Sequence, residues 1–332
     1  MHWNLCGHEN AIAFLQEHTK PQKMRQAYLI TGPSGVGRKS LALAFIKAIC
    51  CQNSPTPGQF CDECTTCRQI EARAFSDLTV IAAENGRDIK IEQIREMQKT
   101  LTLAPFQAPK RFVLIPNFQN ASPGAANALL KSLEEPPPRA IILLTADAKE
   151  SLLETISSRC EHIRLYPMTV SGASLALRTR FKMEEDLSEQ LAHLTAGRIG
   201  ASLRYRDDPL QLDSQHDILV ELEDLLQKNY RGRLKYLEAL LRQKLSPREQ
   251  AARLIPVWLA FWRDCMIVSA NAQLPLVYLG HREWLEQIAH KIPLAQIQKI
   301  LLAHEKALEQ LDSYANARLV LENLLLLPPR ML

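Results

Sequence analysis

The stretch Gly32-Pro33-Ser34-Gly35-Val36-Gly37-Arg38-Lys39-Ser40 follows an apolar run, Ala27–Thr31, and opens an apolar helical pattern. A loop of the form G-x-x-x-x-G-K-[S/T] folds its backbone N–H groups around phosphate oxygens, sends a lysine to the β and γ oxygens and offers a hydroxyl to Mg²⁺. Gly32, Gly35 and Gly37 supply the backbone of such a loop, but Arg38 stands in the lysine position and Lys39 in the hydroxyl position. A wide planar guanidinium does not replace a compact ammonium, and an ammonium at a metal-ligand position repels the metal. Shifting the register to Lys39-Ser40 fails, because each helical residue turns its side chain by about 100°. A magnesium-dependent enzyme also needs a carboxylate at the end of a neighbouring strand. The run ending at Ile115 is followed instead by Pro116-Asn117-Phe118-Gln119. These residues predict a degenerate phosphate loop from which ATP is not hydrolysed. A Gly-rich turn that never held a nucleotide fits them equally.

A second cluster carries different chemistry. Five of the eight cysteines fall between residues 50 and 67, and Cys51, Cys61, Cys64 and Cys67 offer four thiolates, three of them at intervals of three. Four thiolates close a tetrahedral structural Zn²⁺ site and leave no position for a reacting water. An iron–sulfur run of the bacterial kind needs a cysteine where Glu71 stands. Cys51 is the preferred fourth ligand, with Cys50 beside it as the alternative.

Both features need a scaffold. Short β-branched and aliphatic runs at Ala27–Thr31, Leu78–Ala82, Arg111–Ile115, Ala140–Thr145 and His162–Leu165 read as buried strands. Helical patterns at Lys39–Ile49, Ile91–Thr102, Gly124–Glu135 and Lys149–Ser157 alternate with them. That alternation predicts an α/β domain whose parallel five-stranded sheet is covered on both faces. After Pro167 the strand signal vanishes. A short helical unit ends at Thr195-Ala196-Gly197-Arg198-Ile199-Gly200, and a longer helical region begins near Asp208, with Ser246-Pro247-Arg248-Glu249 as a capping box. The predicted domains are 1–166 with the metal module at about 50–68, then 167–207, then 208–332. Trp258, Phe261 and Trp262 recur at helical spacing and predict core packing.

Forty basic and 36 acidic residues leave a net charge of +4, so charge does not mark this chain as a nucleic-acid binder. The first residues lack a basic region followed by an apolar stretch, and no run approaches a membrane span, which predicts a cytoplasmic protein with no membrane partner.

Ala125-Ala126-Asn127-Ala128-Leu129-Leu130-Lys131-Ser132-Leu133-Glu134-Glu135-Pro136-Pro137, followed by the run Ala140–Thr145 and by Ser158-Arg159-Cys160, resembles the bacterial DNA polymerase III clamp-loader subunits of the AAA+ superfamily. So does a cysteine cluster inserted behind the phosphate-loop helix. The resemblance covers residues 27–165, and it implies that the helical remainder forms a small lid domain and an oligomerising collar. It also implies a five-subunit ring with motor (gamma/tau) subunits and a delta subunit, loading a sliding clamp onto primed DNA held by its backbone phosphates. The arginine that family ATPases place in the lid falls on Gly200. Arg159 would be a finger donated in trans to a neighbour's ATP. Two other readings stay open: a working motor subunit, which needs intrinsic ATPase activity dependent on Arg38, and a stand-alone zinc-dependent nucleic-acid binder, which needs tight DNA binding without partners.

Overall fold

The computed structural model describes residues 3–83, 88–313 and 315–331. The chain divides into two compact units, Met1–Met168 with Arg198–Ala201, and Thr169–Gly197 with Ser202–Leu332.

In the first unit the apolar runs become β1 (Ala27–Thr31), β2 (Leu78–Val80), β3 (Arg111–Ile115), β4 (Ala140–Ala146) and β5 (Glu161–Arg164). All pairs are parallel, in the order β2-β3-β4-β1-β5. Every residue of β1 and β4 is buried, as expected of strands covered on both faces. The helices of this unit are α1 (Glu9–Glu17), α2 (Arg38–Cys50), α3 (Thr65–Glu71), α4 (Ile91–Leu101), α5 (Pro123–Glu134) and α6 (Glu154–Ser157). Tyr28, Ile30, Leu114 and Leu143 point to one face and join Phe45 of α2, Ile70 of α3 and Trp3. Leu29, Val113, Ile142 and Leu144 point to the other and join Ile94 of α4 and Leu129 of α5. The two-residue alternation sorts these side chains between the faces, and the parallel register, with Thr31 opposite Ala146 and Ile115 opposite Leu144, places the carboxyl ends of β1, β3 and β4 side by side at one edge of the sheet.

Two sequence-based expectations are corrected. β2 stops at Val80 rather than Ala82. The helix expected over Lys149–Ser157 is a 3₁₀ turn at Lys149–Ser151 followed by α6, separated by extended Leu152 and Leu153. Leu152, with φ −116° and ψ 157°, leaves the helical region, yet it and Ile156 both pack on the α4–α5 face of the core.

The second unit is helical: α7 (Val170–Phe181), α8 (Glu185–Leu194), α9 (Ile199–Asp207), α10 (Pro209–Gln227), α11 (Tyr230–Leu240), α12 (Pro247–Ser269), α13 (Arg282–Lys291), α14 (Leu294–Asp312) and α15 (Ala317–Leu326). The first turn of α9 clusters with the first unit. Ser246 caps α12 by accepting from the Glu249 N–H while Glu249 accepts from the Ser246 N–H. Trp258, Phe261 and Trp262 of α12 are at most 2% exposed and form the centre of this core. Arg233 on α11 is 1% exposed and lies among the ends of α10 and α15. Among the described residues no helix is long and apolar enough to cross a membrane.

His304 of α14 is 1% exposed, donates from Nδ1 to the Ile300 carbonyl at 2.8 Å and meets the Trp258 ring edge-on. Burial pushes its pKa down to about 4 from 6.5. The folded chain therefore refuses a proton that the unfolded chain takes up between those values. Stability contributed by the neutral imidazole is complete above pH 6.5 and is lost as pH falls toward 4. Urea unfolding at pH 7 and pH 4.5 should show wild type losing about 2 kcal/mol more than His304→Gln. Equal losses would show that His304 is protonated in the native core.

Candidate functional site

The phosphate loop leaves β1 at the carboxyl edge of the sheet and enters α2. Gly32, Gly35 and Gly37 have φ of 147°, 84° and 111°, a sequence of conformations that side chains resist. At Gly32 the space is closed as well, since a Cβ there would lie 2.6 Å from the Leu165 carbonyl oxygen.

Arg38 is 7% exposed, and its guanidinium turns across the sheet edge. One nitrogen lies 2.6 Å from a carboxylate oxygen of Asp147, after β4. Another donates to Asn117 Oδ1, after β3, at 2.9 Å. The second Asp147 oxygen accepts from Gln119 Nε2 at 2.9 Å, and the Asn117 N–H donates to Thr145 Oγ1 at 3.0 Å. The segment that lacks a metal-binding acid thus serves as a rest for Arg38. A buried guanidinium is held best by a carboxylate and further acceptors, and here both are supplied from within the unit. Sequence reasoning missed Asp147. Its signal was its place, immediately after a fully buried strand that neighbours β1.

Lys39 does not join that cluster. Burial lowers its pKa, Arg73 lowers it further and Glu71 opposes the shift, so its electrostatic neighbours are at the end of α3. Gly200, in the first turn of α9, stands where a Cβ would lie 2.8 Å from the Gly35 carbonyl oxygen. Beside it, Arg198 donates to the Ser34 carbonyl at 3.2 Å. No side chain fits at position 200 while the loop keeps its present course.

The four cysteines named from spacing come together. The sulfurs of Cys51, Cys61, Cys64 and Cys67 all lie within 4.8 Å of one another, with Cys51 and Cys61 at 3.6 Å. Tetrahedral Zn–S bonds of about 2.3 Å require sulfur separations of about 3.8 Å, so the set fits a zinc ion. Backbone N–H groups of Cys61, Cys64 and Cys67 donate to the sulfurs of Cys51, Cys61 and Cys64 at 3.4, 3.3 and 3.4 Å. Burial raises the Cys64 pKa, but the N–H groups of Cys67 and Gln52 outweigh it and bring the thiol down to about 6. Such a sulfur is ready to ligate as thiolate. Cys50 is outside the cluster; it packs against the α2 side of the core, and burial pushes its thiol up to about 12.

Arg159 lies apart from the phosphate loop of its own chain. Its guanidinium is 37% exposed, 2.9 Å from Glu134 Oε1 at the end of α5, and donates to the Thr155 carbonyl at 2.8 Å. Ser158 donates to the same carbonyl, and Cys160 packs into the α5 side of the core.

Residues 7–169 match the family model described as DNA polymerase III, delta subunit. DNA polymerase III subunit tau of Bacillus subtilis is 26% identical over 347 residues, which cover 96% of this chain and 60% of that protein. Subunit delta' of the same organism is 23% identical over 320 residues, covering 95% of this chain and 94% of the relative. Subunit delta' of Pseudomonas aeruginosa is 32% identical over 174 residues, 52% of each chain. The chain thus spans less than two thirds of the tau relative's length. A gamma subunit-related protein from Thermotoga maritima superposes with a TM-score of 0.42 at 20% identity, covering 95% of this chain and 97% of that one. With a parallel five-stranded sheet, the family model over residues 7–169 and a delta' relative matched over 94% of its length, the chain is a DNA polymerase III delta-prime-like AAA+ protein.

Proposed function

We propose that this chain is a subunit of a clamp-loader ring that does not hydrolyse ATP itself and lends Arg159 to the ATP held by a neighbouring motor subunit. The observation that carries the reading is the Arg38 contact with Asp147 and Asn117, which commits the charge in the lysine position to the chain's own carboxylate. Lys39 is turned to the α3 side, Pro116–Gln119 holds no acid, and the carboxylate at the end of β4, Asp147, is taken by Arg38, which leaves it poorly placed to hold Mg²⁺ or orient water.

Arg159 is the group that acts, by charge stabilisation across the subunit boundary, on a phosphoryl group transferred in the neighbour's site. Cys51, Cys61, Cys64 and Cys67 hold a structural zinc, which fixes the chain on either side of it and takes no part in the reaction. The partners are gamma/tau motor subunits and a delta subunit, with the sliding clamp and the phosphate backbone of primed DNA reached within the assembled ring. Residues 167–207 serve as lid and 208–332 as collar.

The test is a turnover measurement on the purified chain alone with Mg²⁺ and ATP. Release of phosphate at the no-protein background, unchanged by Arg38→Ala, is expected. Brisk turnover abolished by Arg38→Ala would make the chain a motor subunit.

A further inference from the structure

We infer that residues Trp3–His8 form a strap through which the cysteine module holds the phosphate loop in its present course. Trp3 is 2% exposed, and its indole N–H donates to the Gly58 carbonyl at 2.8 Å, inside the loop that joins Cys51 to Cys61. Its ring lies 6.2 Å from Phe60 of that loop and 6.3 Å from Phe45 of α2. Asn4 donates from Nδ2 to one oxygen of Asp62 at 2.5 Å, and the other oxygen takes the Lys47 ammonium of α2 at 2.6 Å. Asp62 sits between two cysteines of the cluster in a left-handed conformation, φ 60°, so its orientation depends on the course of the chain around the sulfurs. Four residues further on, His8 Nε2 donates to the Val36 carbonyl of the phosphate loop at 2.9 Å.

The anchors differ in what keeps them in place. The segment Gln52–Phe60 carries two prolines, a glycine and short polar side chains, so it has no core of its own. Closure of the four sulfurs on a metal fixes both its ends, and with them Gly58, Phe60 and Asp62. If the closure is lost, Trp3 loses its acceptor and one of its two aromatic walls, and Asn4 loses its carboxylate. His8, itself left-handed at φ 67°, then has a free lead segment in place of a fixed one. Gly35 and Gly37 allow the loop many conformations, so a donor held against Val36 selects one of them. The inference concerns the geometry of this chain and stands whether or not Arg159 acts on a neighbour.

Amide hydrogen exchange on the full chain reads each part separately. Removing zinc with a chelator should raise exchange in 51–71, in 3–8 and, by about tenfold, in 32–41, the loss expected when a hydrogen bond is no longer held. Zinc-loaded Trp3→Ala and His8→Ala should raise exchange in 32–41 while 61–71 stays protected, and chelation should then add little to 32–41. An unchanged 32–41 in zinc-loaded Trp3→Ala overturns the strap. So does an equal rise on chelation in wild type and His8→Ala. Should chelation unfold the whole first unit, seen as exchange in β1 and β4, the two zinc-loaded variants decide the matter alone.

Discussion

In a ring reconstituted with motor and delta subunits, Arg159→Ala should assemble normally and lose at least about tenfold of its DNA- and clamp-stimulated ATP turnover. The size follows from the position of the charge. Arg159 is held by one exposed carboxylate, Glu134, and one carbonyl, Thr155. An exposed ion pair is worth about 0–1 kcal/mol, so under the proposed function a neighbour's triphosphate would outcompete Glu134 at little cost. The carbonyl contact meanwhile keeps the guanidinium from swinging free. Arg159→Lys should recover little, because an ammonium keeps the charge and loses the planar fork. Turnover of both variants equal to wild type, in a ring of normal composition by mass, would remove the finger.

The largest loss of stability is expected at Arg233. Its five N–H donors are matched by five backbone carbonyls, with Nε to Leu225, Nη1 to Leu325 and Pro328, and Nη2 to Leu226 and Pro329, at 2.5 to 3.2 Å. Leu225 and Leu226 lie in the last turn of α10 and Leu325 in the last turn of α15, where carbonyls outrun the donors of their own helix; Leu225 also accepts from the Lys228 N–H at 3.2 Å and Leu226 from the Met331 N–H at 2.8 Å. Both helices direct the negative ends of their dipoles at the same cation. Burial lowers the arginine's pKa, yet no carboxylate is among these five acceptors. Arg233→Leu should therefore cost about 3–5 kcal/mol in urea unfolding, since five carbonyls lose a charged donor at once and those of Leu325, Pro328 and Pro329 lose the one that the guanidinium gave them. Arg233→Lys should fall between, with three donors for five acceptors. A loss below about 1 kcal/mol would mean that water reaches those carbonyls.

What the residue order discloses follows the range of the interactions. The strands of the sheet are legible because each is a short run buried on both faces, a local property. The four-cysteine cluster is legible because three of its members lie within seven residues. The choice between Cys50 and Cys51 is not, since it turns on helix geometry. Cys50 is the last residue of α2 and packs inward, whereas Cys51 leaves the helix with φ −60° and ψ 126° and swings its sulfur toward Cys61. The pairing of Arg38 with Asp147 spans more than a hundred residues and becomes visible only when the order of the strands brings β4 beside β1. Trp3 with Gly58 and Arg233 with Pro328, 55 and 95 residues apart, likewise meet only in the folded chain. The break in Lys149–Ser157 is not legible, because Leu152 and Ile156 are four apart as in a helix while the extended backbone at Leu152 and Leu153 is set by tertiary contacts.

The approach of Gly200 to Gly35 bears on how such a chain can change over generations. A substitution at 200 is penalised before it can be useful, because the oxygen it meets at 2.8 Å belongs to backbone and cannot be trimmed away. An engineered arginine at 200 requires residues 34–36 to take another course. Placing any larger residue there is therefore a two-part change, one at the residue and one in the backbone that it meets.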